Sequence, residues 1–208
     1  EIYTLSLHDA LPIYQPYHSS TVAAQNIMKE NPNVRILPVD TLAAALGEGL
    51  IVDKAVEVRD QGKTIDEVAQ WVEENKLKTA HWFTVDDLNF LKRGGRISAS
   101  AAWFGTALKI KPVLHVDNNG KLIPMEKKIG RKKSLARIAE IVRETAVNPE
   151  DQTIYIAHGD CIDDVEETKE MIRKEAGTTK FFVNDLGPVI GSHSGPGTLA
   201  VFFFAKGR

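Results

Sequence analysis

The sequence is poor in cysteine, in aromatic residues and in any excess of one charge. One cysteine, Cys161, stands among 208 residues, which excludes an internal disulfide and a multi-thiolate zinc site and is compatible with a reducing compartment. Basic and acidic residues nearly cancel, 26 against 28, for a formal net charge of −2. No global field therefore draws the chain to nucleic acid or to an anionic membrane, and any anion site must be local. No apolar run is long enough for a membrane span or a signal peptide, so the cytoplasm is the default compartment. There is no phosphate-loop lysine motif, dinucleotide fingerprint, nucleophile elbow or paired metal-ligand spacing. What is present is an ordinary globular composition, 43% hydrophobic and 26% charged, with enough length for one domain or two small ones.

The first thirteen residues, EIYTLSLHDALPI, fit neither a helical stripe nor a strand alternation. They back-translate without mismatch to a nucleotide string resembling a widely used short-read sequencing adapter. Residues 1–13 are therefore expected to be an adapter-derived artefact, with the natural chain entering near Tyr14.

From Ser19 to Lys29 the pattern predicts a short helix stopped by Asn31-Pro32-Asn33. Val34 to Val39 reads as a buried strand, and Asp40 and Thr41 as caps of a long helix over about Leu42 to Arg59. Thr64-Ile65-Asp66-Glu67 has the form of a capping box. His81 to Val85 reads as a strand, followed by a short helix from Asp86 that ends at Gly94-Gly95 with Lys92 and Arg93 in its last turn. Asp117-Asn118-Asn119-Gly120 between two apolar runs signals a hairpin. A helix over Lys132 to Ala146, a strand over Thr153 to Ala157, a helix over Asp163 to Ala176, a strand over Lys180 to Val183 and a last apolar strand over Leu199 to Phe204 complete an α/β pattern.

Three stretches carry more than packing needs. In RGGRISASAAWFGTALKIKPVL, residues 93–114, glycines and small residues between cations leave room for a groove; a helix terminator followed by a tightly packed helix is an equal reading. In GPVIGSHSGPGT, residues 187–198, a loop could offer Ser192, His193, Ser194, Thr198 and backbone N–H groups to an anion; an ordinary surface turn is the alternative. In KKIGRKK, residues 127–133, Arg131 could grip a carboxylate or phosphate bidentately, against the simpler reading of a solvated helix start. HGDC, residues 158–161, suggests a Cys161 nucleophile or a metal site with Asp160 and Asp163, but a turn that caps the next helix explains the same residues better.

In order, LGEGLIV at 46–52, DDLNFLKRGGRIS at 86–98, LKIKPVL at 108–114, GRKKSLARI at 130–138, HGDC at 158–161 and GPVIGSHSGPGTLAVFF at 187–203 resemble the motifs of the DegV family of bacterial lipid-binding proteins. That family includes the fatty-acid-binding subunit of bacterial fatty acid kinase. The resemblance covers the chain from about Ser19 to its end. It implies a two-lobed α/β fold with a lipid tunnel between and within the lobes. Residues 14–85 would be a remnant of the N-terminal lobe and residues 86–208 the C-terminal lipid-binding lobe. The first lobe would be incomplete: a threonine and a serine that meet the carboxylate in relatives would lie before Tyr17 or be replaced by Tyr14, Gln15 and Pro16, and the first lobe would fold poorly.

The same resemblance places Arg131, His193, Ser192 and Ser194 at the head group or at a phosphate built on it. It makes Phe104, Leu108, Ile110, Leu114 and Ile190 weaker candidates for the tail lining, and Arg93 and Arg96 candidates for docking a kinase. The tail would gain roughly 0.8 kcal/mol per buried methylene. The implied partners are a long-chain fatty acid, the catalytic subunit of a fatty acid kinase and a membrane touched transiently, with no nucleic acid, metal or cofactor. The protein itself would be a non-catalytic carrier. Two alternatives stay open: a phosphoryl-transfer or hydrolytic enzyme using the His193 loop and Arg131, and a nucleic-acid module using Lys127 to Lys133, which net acidity disfavours.

Overall fold

A computed structural model describes residues 3–4, 16–97 and 109–208. The chain runs β1 (Tyr3–Thr4), α1 (Pro16–Glu30), β2 (Arg35–Ile36), α2 (Leu46–Asp60), α3 (Ile65–Asn75), a 3-10 turn (Lys76–Lys78) and β3 (Thr79–Thr84). It continues through α4 (Leu88–Arg93), β4 (Ile110–Val116), β5 (Leu122–Ile129), α5 (Arg131–Thr145), β6 (Ile154–His158), α6 (Ile162–Ala176), β7 (Phe181–Asp185), α7 (Pro188–Ser194) and β8 (Leu199–Phe204).

β8 organises the larger sheet, whose strand order is β5-β4-β3-β8-β6-β7, with only β6 and β7 parallel. The run LAVFFF suits that place because both of its faces are covered. Leu199, Val201 and Phe203 pack with Leu135, Ile138 and Val142 of α5 and Val165 and Ile172 of α6. Ala200 and Phe202 point the other way, to Leu50 of α2 and Leu91 of α4. Strand alternation thus splits one apolar run between two cores, giving a helix, sheet, helix sandwich. A smaller core of Val39, Ala43, Ile51, Ala55 and Val72 joins α2 to α3, beside a two-stranded parallel pairing of β1 with β2.

Several elements differ from the sequence reading. β3, grouped there with the first lobe, is hydrogen-bonded to β4 on one side and β8 on the other, so the larger sheet draws on residues before 86. The expected strand at 34–39 shrinks to the two residues of β2. The helix expected from Leu42 begins at Leu46, because Asp40 and Thr41 do accept backbone N–H groups, but from Leu42 and Ala43, two residues on. A helix cap can make the same contact, but here the backbone turns away from helix at Leu42 and Ala45, both at a φ of 52°. The capping box is present as read: the Thr64 hydroxyl accepts from Glu67 N–H while the Glu67 carboxylate accepts from Thr64 N–H, and this pulls the Glu67 pKa down to about 2.

Candidate functional site

The two glycine-bearing motifs meet. Asp87 caps α4 by accepting from Asn89 N–H, and the helix closes at Gly94-Gly95, where Gly95 takes a left-handed φ of 71°. Arg96 then folds back, its N–H on the Leu91 carbonyl and its Nη1 on the Gly94 carbonyl at 2.6 Å. α7 packs on this turn through glycine. A Cβ at Gly94 would lie 2.5 Å from His193 Nδ1, and a Cβ at Gly195 would lie 2.5 to 2.9 Å from three ring atoms of Phe90. These contacts admit a hydrogen and nothing larger, so glycine is required at positions 94 and 195.

The 187–198 stretch is not an open loop. Pro188 opens α7 at a position where its missing N–H costs nothing. Within the helix the Ser192 hydroxyl donates to the Val189 carbonyl and the Ser194 hydroxyl to the Ile190 carbonyl. Each hydroxyl has one hydrogen, so both serines face a ligand as acceptors in this arrangement. Thr198 likewise donates back to the carbonyls of Ser194 and Gly195.

Behind α7 lies an apolar cavity of about 80 Å³ lined by Leu91, Arg96, Leu186, Ile190, His193 and Ser194 on one side and by Ala44, Ala45, His81, Phe83, Ala200 and Phe202 on the other. Five of the residues singled out in sequence, Arg96, Ile190, His193, Ser194 and Thr198, line it. Ser192 is exposed on the outer side of α7. Leu114 is sealed in the core beneath the sheet and Ile110 is half-buried at the start of β4; neither lines the cavity. Phe104 and Leu108 lie outside the described residues. Arg93 is exposed, its guanidinium 4.7 Å above the Phe90 ring.

Arg131 opens α5 and stands apart from the cavity, 17% exposed. Its Nε donates to Asp164 at 2.9 Å, Nη2 lies 3.9 Å from Cys161 Sγ, and Nη1 is 3.8 Å from Asp86, too far for a hydrogen bond. Nη1 is thus buried without a hydrogen-bond partner, while Asp86 is held by Lys111 at 2.7 Å. HGDC is the seat of the neighbouring turn: Gly159 N–H donates to Thr198 O, Gly197 N–H to Gly159 O, and the Cys161 thiol to Thr198 O at 3.3 Å. Burial pushes the Cys161 pKa up, the opposite of what a nucleophilic thiolate needs. No group of three or more His, Cys, Asp or Glu side chains among the described residues could hold a metal.

Among the lining residues that escaped the sequence reading, His81 is the one with a titratable side chain. His81 is 2% exposed on the face of β3 that also carries Phe83. Its Nδ1 sits 2.9 Å from the Thr79 carbonyl, which can only accept, so Nδ1 carries the proton and Nε2 is a bare acceptor. Burial, helped by the nearby Arg208 charge, lowers its pKa to about 3. Nε2 lies against Gly47 in the first turn of α2, where an added Cβ would come within 2.1 Å. The available signal was a histidine at an inward position of a strand that is buried along nearly its whole length.

The family profile for uncharacterised proteins of the DegV family matches residues 15–206, nearly the whole chain. The chain belongs to the DegV family. A DegV domain-containing protein of Clostridium perfringens is 49% identical over 187 residues, which cover 90% of this chain and 64% of that protein's length. Among solved structures, a DegV-family protein from Thermus thermophilus described for its fatty acid binding is 32% identical, with a TM-score of 0.81 over 97% of this chain and 70% of that one. The fatty acid kinase B3 protein of Streptococcus pneumoniae, solved with linoleic acid, shares the DegV fold at a TM-score of 0.85 and 20% identity, covering 98% and 71% of the two chains. The α/β sandwich described above is thus the DegV fold, and no helix among its described residues is long and apolar enough to cross a membrane.

Proposed function

We propose that this DegV-family chain binds a long-chain fatty acid and presents its carboxylate to a separate fatty acid kinase, carrying the acyl phosphate onward without catalysing its formation. The observation that carries this reading is the meeting of the RGGRI turn with α7 around an apolar cavity whose lining includes two side chains able to donate to a carboxylate, Arg96 and His193. The chemistry is that of an amphiphile: an apolar interior removes methylenes from water, and a few polar groups orient the head. A cavity of about 80 Å³ is below the roughly 300–1,000 Å³ of whole ligand sites and accounts for one end of such a ligand. The likeness to a fatty-acid-binding relative at 32% identity supports the same ligand class. Arg131, with its unpartnered Nη1, is the proposed contact for a phosphate built on the carboxylate, and exposed Arg93 is the proposed contact for the kinase.

The test is acyl phosphate formation from oleate and ATP by a purified fatty acid kinase catalytic subunit, with and without this protein. The reading expects product only with both proteins present and loss of product with His193→Ala or Arg131→Ala while oleate stays bound. Product formed or hydrolysed by this chain alone would make it an enzyme instead.

A further inference from the structure

We infer that Arg208 is a positioning residue for this site: it holds the 40–45 loop, one wall of the apolar cavity, in a conformation the loop would not keep by itself. The ligand that the wall meets rests on the fatty-acid reading above; the positioning itself does not.

The loop needs holding. Leu42 and Ala45 both have a φ of 52°, and Ala45 combines it with a ψ of −136°, which no residue with a Cβ adopts without strain. Such conformations persist only where the surroundings over-determine them. Ala45 also occupies the cap position of α2 without a capping side chain, and both Ala44 and Ala45 line the cavity.

Arg208 supplies the constraint. Its Nη1 donates to the Leu42 carbonyl at 2.7 Å and to the Asp117 carbonyl at 3.3 Å, its Nε to Thr79 O at 3.1 Å and its Nη2 to Lys76 O at 3.2 Å. One planar fork thus ties the loop to the turn before β3, to the start of β3 and to the β4–β5 hairpin. Five fixed donors around one charge suit this; a lysine, a single point, would not reach all four acceptors. Lys76 helps at the other end of the loop, donating to the Asp40 carbonyl at 2.7 Å. A shifted loop would carry Gly47 with it, and Gly47 has only a hydrogen's width against His81, which lines the same cavity. Arg208, the 40–45 loop, α2 and His81 therefore move together or stay together.

The test compares the full chain with Arg208→Ala, Arg208→Lys and the double variant Arg208→Ala/Ala45→Gly. The glycine removes the strain without restoring any contact. In the unliganded proteins, hydrogen exchange at the Leu42, Ala43, Gly47 and Gly49 amides should speed up about tenfold in Arg208→Ala, the scale of losing a charged donor. Exchange should be intermediate in Arg208→Lys and return towards wild type in the double variant, with β8 amides unchanged throughout. The dissociation rate of dansyl-undecanoic acid, chased with oleate, should follow the same order. Loop exchange within about twofold of wild type in Arg208→Ala would overturn the inference. So would faster exchange spread evenly over the loop and β8, which would make Arg208 a general stabiliser. A wild type that binds no probe would contradict the fatty-acid reading, and the exchange measurements would still decide the role of Arg208.

Discussion

Replacing Gly195 by alanine should cost a large part of the stability of this fold, and the cost has two sources, a backbone strain and a steric contact. Gly195 sits at φ 80° and ψ 171°, a region populated almost only by glycine. Alanine there carries about 1–3 kcal/mol of backbone strain. The new methyl would also lie 2.5, 2.6 and 2.9 Å from three atoms of the Phe90 ring, which α4 and the RGG turn hold in place. Overpacking of that kind adds about 1–3 kcal/mol. The sum, about 2–6 kcal/mol, is a large fraction of the roughly 5–15 kcal/mol that holds a domain together. The internal control is Gly191, inside α7, where an added Cβ meets nothing within 4 Å. Alanine there should be neutral or stabilising by about 0.5–1 kcal/mol. Equilibrium urea unfolding followed by tryptophan fluorescence measures both. A Gly195→Ala protein within about 0.5 kcal/mol of wild type, or a Gly191→Ala protein as damaged as it, would refute the packing of α7 against α4.

The buried imidazole gives a pH dependence of known sign. His81 is lowered to about 3 in the folded protein from an unfolded value near 6.5, so between those limits the unfolded chain binds more protons. Stability should rise with pH through that window, by up to about 1.4 kcal/mol per unit, and level off above it; His81→Asn, which does not titrate, should flatten the slope, and an unchanged slope would contradict the burial. Tyr155 of β6 donates its hydroxyl to Asp53 of α2, joining the sheet to its covering helix. Tyr155→Phe should cost about 1–3 kcal/mol in thermal unfolding, with no change expected if that bond is absent in solution. The Cys161 thiol, half-buried and donating to Thr198 O, should react slowly with iodoacetamide in the native protein and quickly once unfolded; equal rates would show that the turn is open.

What could be read in the sequence was whatever local chemistry decides. The Thr64-Glu67 box, the Asp117-Gly120 hairpin and the LAVFFF strand appear where they were expected, because a side-chain cap, a positive-φ turn and an apolar run each act over a few residues. The start of α2 was not legible, because Asp40 and Thr41 bond backbone two residues away in either outcome, while the carbonyls of the turn are met by Lys76 and Arg208, both distant in sequence. α7 was hidden by the glycines in and around it, which look like loop; of these only Gly195, just past the helix, is needed for a close approach, to the Phe90 ring. His81 and Gly47 were invisible as a pair, since neither residue type signals contact with the other. The site followed the same rule: Arg96, Ile190, His193 and Ser194 come together at the cavity, whereas Arg131 sits in a separate ion-pair cluster and Leu114 in the sheet core.

The measurement that tests the central proposal most directly is native mass spectrometry of the purified chain after incubation with oleate and extraction of any lipid it already carries. The proposed carrier function predicts a one-to-one protein–fatty acid complex, in the wild type and in His193→Ala alike. A folded protein that carries no fatty acid and takes up none would contradict it.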